Sequence, residues 1–113
     1  MIELILIRYL EKKLSPVPVL MEYPEENIRK FVVMEKTGSG ESNGIQSAQI
    51  AIQSHGKNLM EAAELNEEVK AAMKSLIEED VICDVQRNTD YNFTDDSTGH
   101  YRYQAIFDIK FVE

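Results

Sequence analysis

The clearest pattern in the chain is Tyr101-Arg102-Tyr103-Gln104-Ala105-Ile106-Phe107-Asp108-Ile109-Lys110-Phe111. Aromatic and aliphatic side chains occupy every second position, and the positions between them are mostly polar. A repeat of two is the repeat of a β-strand, because successive side chains point to opposite faces of a sheet. We therefore predict a strand over residues 101–111, with its apolar face covered by another layer.

Four other segments upstream read as strands. Residues 31–36 and 45–54 alternate in the same way, with Ala48, Ile50, Ile52 and Ser54 on one face of the second segment. Residues 81–87, continued by Tyr91 and Phe93, are also strand-like. Residues 17–22 are short and contain Pro18, which favours a place at the edge of a sheet because proline cannot donate to a central ladder.

Two segments have the period of a helix. In residues 2–14 the apolar side chains fall on one broad face, and Pro16 ends the segment. Leu4 and Ile7 widen this apolar arc beyond what a one-sided surface helix needs. This helix is therefore expected either to be covered on two sides or to contact a second chain.

The second predicted helix covers about twenty residues, a rod of roughly 30 Å. Asn58 followed by Glu61 is a capping-box pattern at its start. The predicted apolar stripe consists of Leu59, Ala62, Ala63, Val69, Met73, Leu76 and Ile77.

The order of elements is α-β-β-β-α-β-β. It predicts one α+β domain over residues 1–113 with two layers, a mostly antiparallel sheet of about five strands and two helices packed on one face. Consecutive strands joined by short turns are expected to pair antiparallel.

Composition excludes several classes of protein. The chain has 113 residues with 12 Lys and Arg against 20 Asp and Glu, a net charge of −8. This charge disfavours a general nucleic-acid binder and a protein held on anionic lipid. Cys83 is the one cysteine, so no internal disulfide forms, and we expect it to be a buried thiol in a reducing compartment. No signal peptide or membrane span is visible, which predicts a soluble, cytoplasmic product at synthesis.

No catalytic motif is present: the chain lacks GxSxG, a glycine-rich phosphate loop, HExxH and paired CxxC. We therefore predict no catalytic residue, no metal and no cofactor. The cluster Asp90, Asp95, Asp96 and His100 could hold a hard cation in a small metal-dependent enzyme or ligand-binding domain. Asp and Ser are also ordinary turn residues, and we favour a turn.

The aromatic residues near this turn are Tyr91, Phe93, Tyr101 and Tyr103. They could anchor a partner, but cross-strand packing is the favoured interpretation. The polar, glycine-rich stretch from Thr37 to Gly44 is predicted to be a flexible loop, either ordered by a partner or simply tolerated at the surface. The candidate contact residues for self-association or a partner are Leu4, Ile7, Gly38, Ser39, Gly40, Glu41, Ser42, Asn43 and Gly44.

Several motifs together resemble a known set of small proteins. They are Tyr9-Leu10-Glu11-Lys12-Lys13-Leu14, Val17-Pro18-Val19, Phe31-Val32-Val33-Met34-Glu35-Lys36-Thr37-Gly38, Glu61-Ala62-Ala63-Glu64-Leu65-Asn66, Asp90-Tyr91-Asn92-Phe93-Thr94-Asp95 and Tyr101-Arg102-Tyr103-Gln104-Ala105. In this respect the chain resembles the tail-completion, or tail-terminator, proteins of long-tailed phages and prophages of Gram-positive bacteria.

The resemblance implies a structural virion protein without enzymatic activity. Such subunits form a ring, typically a hexamer, that caps the tail tube and helps join it to the head. The implied partners are further copies of the chain, the tail-tube protein and head–tail connector proteins, with no specific nucleic acid and no membrane. A head–tail adaptor on the portal side is the alternative, and the resemblance carries over no residue-level role.

Overall fold

A computed structural model of the chain describes residues 1–112. It confirms the predicted α+β class and the predicted order of elements. Their bounds are α1 Ile2–Leu14, β1 Val19–Leu20, β2 Phe31–Ser42, β3 Ile45–Gly56, α2 Leu59–Lys74, a 3₁₀ turn Ser75–Glu78, β4 Ile82–Asn92 and β5 Tyr101–Phe111.

The five strands form one sheet in the order β1-β2-β3-β5-β4. The pairs β2–β3, β3–β5 and β5–β4 are antiparallel. The pair β1–β2 is parallel, with Val19 opposite Val32 and Leu20 opposite Val33. β1 and β2 are not joined by a short turn: residues 21–30 carry the chain back to the end from which β1 started, so this pair is parallel while the rest of the sheet is antiparallel as predicted.

Both helices pack on the same face of the sheet. Leu6 of α1 and Val69 of α2 belong to one hydrophobic core that includes Ile50 and Ile109 of the sheet. The Tyr9 hydroxyl joins the helices by donating to the carbonyl oxygen of Ala72 at 2.7 Å, and burial raises the pKa of this tyrosine. Among residues 1–112, no helix packs on the opposite face of the sheet, so this second face is where the sheet is open to other contacts.

The start of α2 forms the predicted cap with one difference. Asn58 Oδ1 accepts from the backbone nitrogen of Glu61 at 2.8 Å. The Glu61 carboxylate accepts from the nitrogen of Lys57 at 3.0 Å, one residue before its expected partner. Within residues 1–112, no helix has the length and apolar character needed to span a bilayer.

The predicted apolar stripe of α2 is wrong at both ends. Leu59 is 40% exposed and Ile77 is 47% exposed, while Leu65 and Asn66 are buried although neither was in the stripe. The α-helix ends at Lys74, and the 3₁₀ turn that follows changes the rotation per residue. Ile77 is therefore carried out of the core-facing position.

Candidate functional site

The stretch from Thr37 to Gly44 is not a flexible loop. β2 continues to Ser42, and only Asn43 and Gly44 form the turn into β3. Asn43 has φ 53° and Gly44 has φ 81°. Asn-Gly suits the two-residue hairpin turn in which both central residues take positive φ. Hairpin pairing with β3 thus overrides the weak strand propensity of the glycines and serines.

Most of this outer half of β2 has no neighbouring strand on one side. β1 pairs only with Val32 and Val33, and residues 35–42 are all exposed. The Val32 nitrogen donates toward β1, to the Pro18 carbonyl at 2.9 Å. We call residues 35–42 the free edge.

Which backbone groups face outward follows from alternation along the strand. Because the backbone of Val32 faces away from β3, toward β1, the N–H and C=O of Lys36, four residues later, also point away from β3. Thr37 is the extra residue of a bulge, because the register shifts between Lys36 and Gly38. The backbone of Ser42 faces β3 in the hairpin pair Ser42–Ile45. By the same alternation, the N–H and C=O groups of Glu41 and Ser39 point away from β3. The free edge thus offers unpaired donors and acceptors to another strand.

The N-terminal turn of α1 lies beside the free edge. Lys36 Nζ is 3.4 Å from Glu3 Oε2. Leu4 is 42% exposed, whereas Ile7 is half-buried and packs against the core. Of the two residues that widen the apolar arc, Leu4 is therefore the more exposed one. We call Leu4 together with the free edge the assembly surface.

The carboxylate of Asp90, a member of the acidic cluster, is bound by side chains of α2. It lies 3.0 Å from Lys70 Nζ and accepts from Asn66 Nδ2 at 2.9 Å. Burial opposes ionisation of Asp90, but these two hydrogen bonds outweigh it and lower the pKa of the carboxyl below its ordinary value. Asp90 thus links β4 to α2.

Asp95 forms local bonds in the turn between β4 and β5. It accepts from the Ser97 nitrogen at 3.0 Å and from the Ser97 hydroxyl at 2.7 Å. The hydrogen bond from the Ser97 side chain is the largest cause that lowers the pKa of Asp95. Across residues 1–112, no group of three or more His, Cys, Asp or Glu side chains is arranged to hold a metal ion.

The four aromatic residues near this turn do not form a single cluster. Tyr91 lies opposite Gln104 in the register, so Tyr91 and Tyr103 face opposite sides of the sheet. Tyr91 packs edge-on against Phe93, with ring centroids 5.8 Å apart. The Arg102 guanidinium lies 4.5 Å from the centroid of the Phe93 ring. Cross-strand packing does occur, but with an arginine from β5 instead of the two later tyrosines.

The open face of the sheet carries a chain of hydrogen bonds that periodicity did not reveal. Arg102 Nη1 donates to the Tyr23 hydroxyl at 2.6 Å, and that hydroxyl donates to Gln53 Oε1 at 2.6 Å. Gln53 Nε2 donates to Gln104 Oε1 at 3.0 Å, and Gln104 Nε2 donates to the Tyr91 hydroxyl at 2.6 Å. The alternating glutamines at 53 and 104 were the available sequence signal, but only the strand register brings them together.

His55 lies within this open-face network. It is 3% exposed, and its Nε2 is 3.3 Å from Gln53 Oε1. Burial is the largest cause that lowers the pKa of His55 to about 4, followed by the charges of Arg102 and His100. The ring is therefore neutral at pH 7.

The prediction that Cys83 is buried is wrong. The thiol belongs to an exposed residue of β4. The register of β4 against β5 shifts between Ile82 and Asp84, so Cys83 is the extra residue of an irregularity in the strand. An extra residue interrupts the inward–outward alternation, which explains why an apolar neighbourhood in sequence did not become burial.

Comparison with protein-family models and with curated protein sequences gave no match to this chain. The structure has an exposed strand edge close to the first turn of α1, and an acidic cluster in which Asp90 is bound by Lys70 and Asn66 of the same chain.

Proposed function

We propose that this protein is a structural subunit of a phage or prophage virion, a tail-completion or tail-terminator protein. Copies of the chain form a ring that caps the tail tube and helps join it to the head. The observation that carries the proposal is the free edge of β2, whose backbone groups are directed outward with no strand of the same chain opposite them. A free, exposed edge is a template for pairing with another chain.

The strand directions support a ring. β2 and β4 are the long strands nearest the two sides of the sheet, and the antiparallel pairs between them make β4 run opposite to β2. Two copies placed side by side in the same orientation therefore bring β2 of one copy beside β4 of the next as an antiparallel pair. A heterologous contact of this kind generates a ring when the rotation between neighbouring copies closes.

The exposed Leu4 supports the same surface. It lies at the end of α1 that is joined to β2 by the Glu3–Lys36 ion pair. An apolar side chain next to a strand edge gives a contact that combines backbone hydrogen bonds with apolar burial. The resemblance of the sequence motifs to tail-completion proteins supports a place for the ring at the end of the phage tail. The alternative is a ring that acts as a head–tail adaptor on the portal side.

The first experiment is the native mass of the protein by light scattering over a range of concentrations. We expect ring-sized steps that depend on concentration or on the presence of a tail-tube protein. Ser39→Pro removes one outward N–H while leaving the β2–β3 bonds in place, and Ser39→Lys adds a charge at the same edge. Both should weaken association at least tenfold, with circular dichroism unchanged.

Ser97→Lys is the matched control, because it adds the same charge in the exposed turn between β4 and β5. It should associate like the native chain. A protein that stays monomeric at every concentration, with and without the tube protein, contradicts the proposal. Negative-stain images with rings on tube ends favour the terminator, whereas rings bound only to portal complexes favour the adaptor.

A further inference from the structure

A cavity of about 230 Å³ lies at the end of the sheet opposite the β2–β3 turn. Three parts of the chain meet there: residues 27–31, residues 55–57 where β3 ends, and residues 99–101 where β5 begins. The cavity is small compared with the roughly 300–1,000 Å³ of sites for drug-sized ligands. Its size suits a compact ion or a single charged group.

The charged residues that line this cavity are basic, whereas the chain as a whole carries a net negative charge. Arg29, Lys57, His55 and His100 line it, and no Asp or Glu does, although acidic residues outnumber Lys and Arg by 20 to 12 in the chain. Among the ion pairs of residues 1–112, none involves the side chain of Arg29 or Lys57. Arg29 and Lys57 thus line one space, with the Glu61 carboxylate outside the lining and bound to the Lys57 backbone nitrogen at 3.0 Å.

The strand register explains why the cations meet. Phe31 stacks on His55 across β2 and β3, and Arg29, two residues before Phe31, lines the same cavity as Lys57, two residues after His55. The turn between β4 and β5 adds His100 from the other side. Gly56 lets the backbone pass close to α2, because a Cβ there would lie 2.6 Å from the Ala62 nitrogen.

We propose that this cavity is a binding site for a phosphate group that carries two negative charges. Arg29 supplies a planar fork that binds tetrahedral oxyanions in bidentate fashion, and Lys57 supplies a point charge. The two permanent positive charges match a phosphate monoester, which carries about −1.5 to −2 at pH 7, better than a carboxylate or a phosphodiester with a single charge. The site is separate from the assembly surface and does not depend on ring formation.

The test uses inorganic phosphate as the probe, with the ring-proton NMR signals of His55 and His100 as the readout. We expect saturable shifts of these two residues at constant ionic strength. The double variant Arg29→Gln, Lys57→Gln should weaken binding at least tenfold. Lys74→Gln is the control, because Lys74 lies in the last turn of α2, far from the cavity, and should bind like the native chain.

Three further arms identify the source of the phosphate. Glycerol 3-phosphate should bind like inorganic phosphate, acetate should bind much more weakly, and a DNA duplex without terminal phosphates should not compete at equal phosphate concentration. Shifts that chloride reproduces, or equal binding by the double variant, would overturn the proposal. Competition by the duplex alone would also overturn it, since backbone phosphates carry one charge.

Discussion

The imidazole of His55 lies flat on the ring of Phe31, with centroids 4.3 Å apart and planes 11° apart. Tyr23 closes the stack from the side at 5.2 Å from the imidazole and also bonds to Gln53. Tyr23 belongs to residues 21–30, the connection that leads from β1 to β2. This connection therefore covers one end of the open sheet face, and it explains why a histidine there is buried.

Because His55 is buried as a neutral ring, the protein should become less stable in mild acid. The pKa of His55 is about 4 in the folded chain against an ordinary 6.5. As the pH falls below 6.5, the unfolded chain takes up the proton first. The contribution is therefore fully present above pH 6.5 and is lost toward pH 4, at up to about 1.4 kcal/mol per pH unit. Urea unfolding between pH 7 and 5 measures it.

Two variants separate His55 from other titrating groups. His55→Gln should flatten the pH dependence between 6.5 and 5, even if its stability at pH 7 is lower through loss of the stack. His100→Gln should keep most of the native pH dependence, because burial of His55, and not the charge of His100, is the largest cause of its lowered pKa. If the free energy of unfolding of the His55 variant falls with pH as steeply as that of the native chain, other titrating groups cause the loss of stability in acid.

Gly56→Ala should be strongly destabilising. A Cβ at this position would lie 2.6 Å from the Ala62 nitrogen and 2.9 Å from the Glu61 carbonyl carbon, so the first turn of α2 would have to move. We expect a loss of about 2 kcal/mol or more in the free energy of unfolding.

Gly38→Ala is the matched control for this loss. Its Cβ would meet only Gln49 Cβ, at 3.9 Å, so alanine fits and removes chain entropy from the unfolded state. The change should be within about 0.5 kcal/mol of zero. Equal losses in the two variants would show that the close approach of Gly56 to α2 is not what requires glycine.

Leu4→Ser should mainly affect self-association, whereas Ile7→Ser should mainly affect the stability of the fold. Leu4 is 42% exposed and lies outside the core cluster, so Leu4→Ser should change the melting temperature less than Ile7→Ser and weaken self-association. Ile7 packs against the core, so Ile7→Ser should lower the free energy of unfolding by about 1–2 kcal/mol. Thermal melts with light scattering on the same samples distinguish the two effects. A Leu4 variant that melts early but associates normally would remove Leu4 from the assembly surface.

Asp90→Ala should destabilise the fold, whereas divalent metal should not stabilise it. Removing this carboxylate takes away the acceptor of the Lys70 and Asn66 side chains and should lower the free energy of unfolding by about 1–2 kcal/mol. Mg²⁺, Ca²⁺ and Mn²⁺ should give no saturable thermal shift, because Asp90 is used by α2 and Asp95 by its own turn. A shift of several degrees that Asp95→Ala plus Asp96→Ala abolishes would favour the metal-dependent alternative.

The sequence by itself determined the elements and their inward faces. Periodicity located β5, the core face of β3 and the bounds of α1, since burying one face of a strand or helix leaves a pattern in neighbouring residues. It misjudged Thr37–Gly44, Cys83 and the end of α2, where a bulge, a tight turn or a change of helix type breaks that pattern.

Only the tertiary structure decided which strands are neighbours and which distant side chains meet. The parallel β1–β2 pair, the free edge, the Arg102–Tyr23–Gln53 contacts and the cavity with Arg29 and Lys57 all depend on register between segments far apart in sequence. Local propensity carries no information about that register. It is set by the joint packing of the core, which leaves both an unpaired edge and unbalanced charges at the surface.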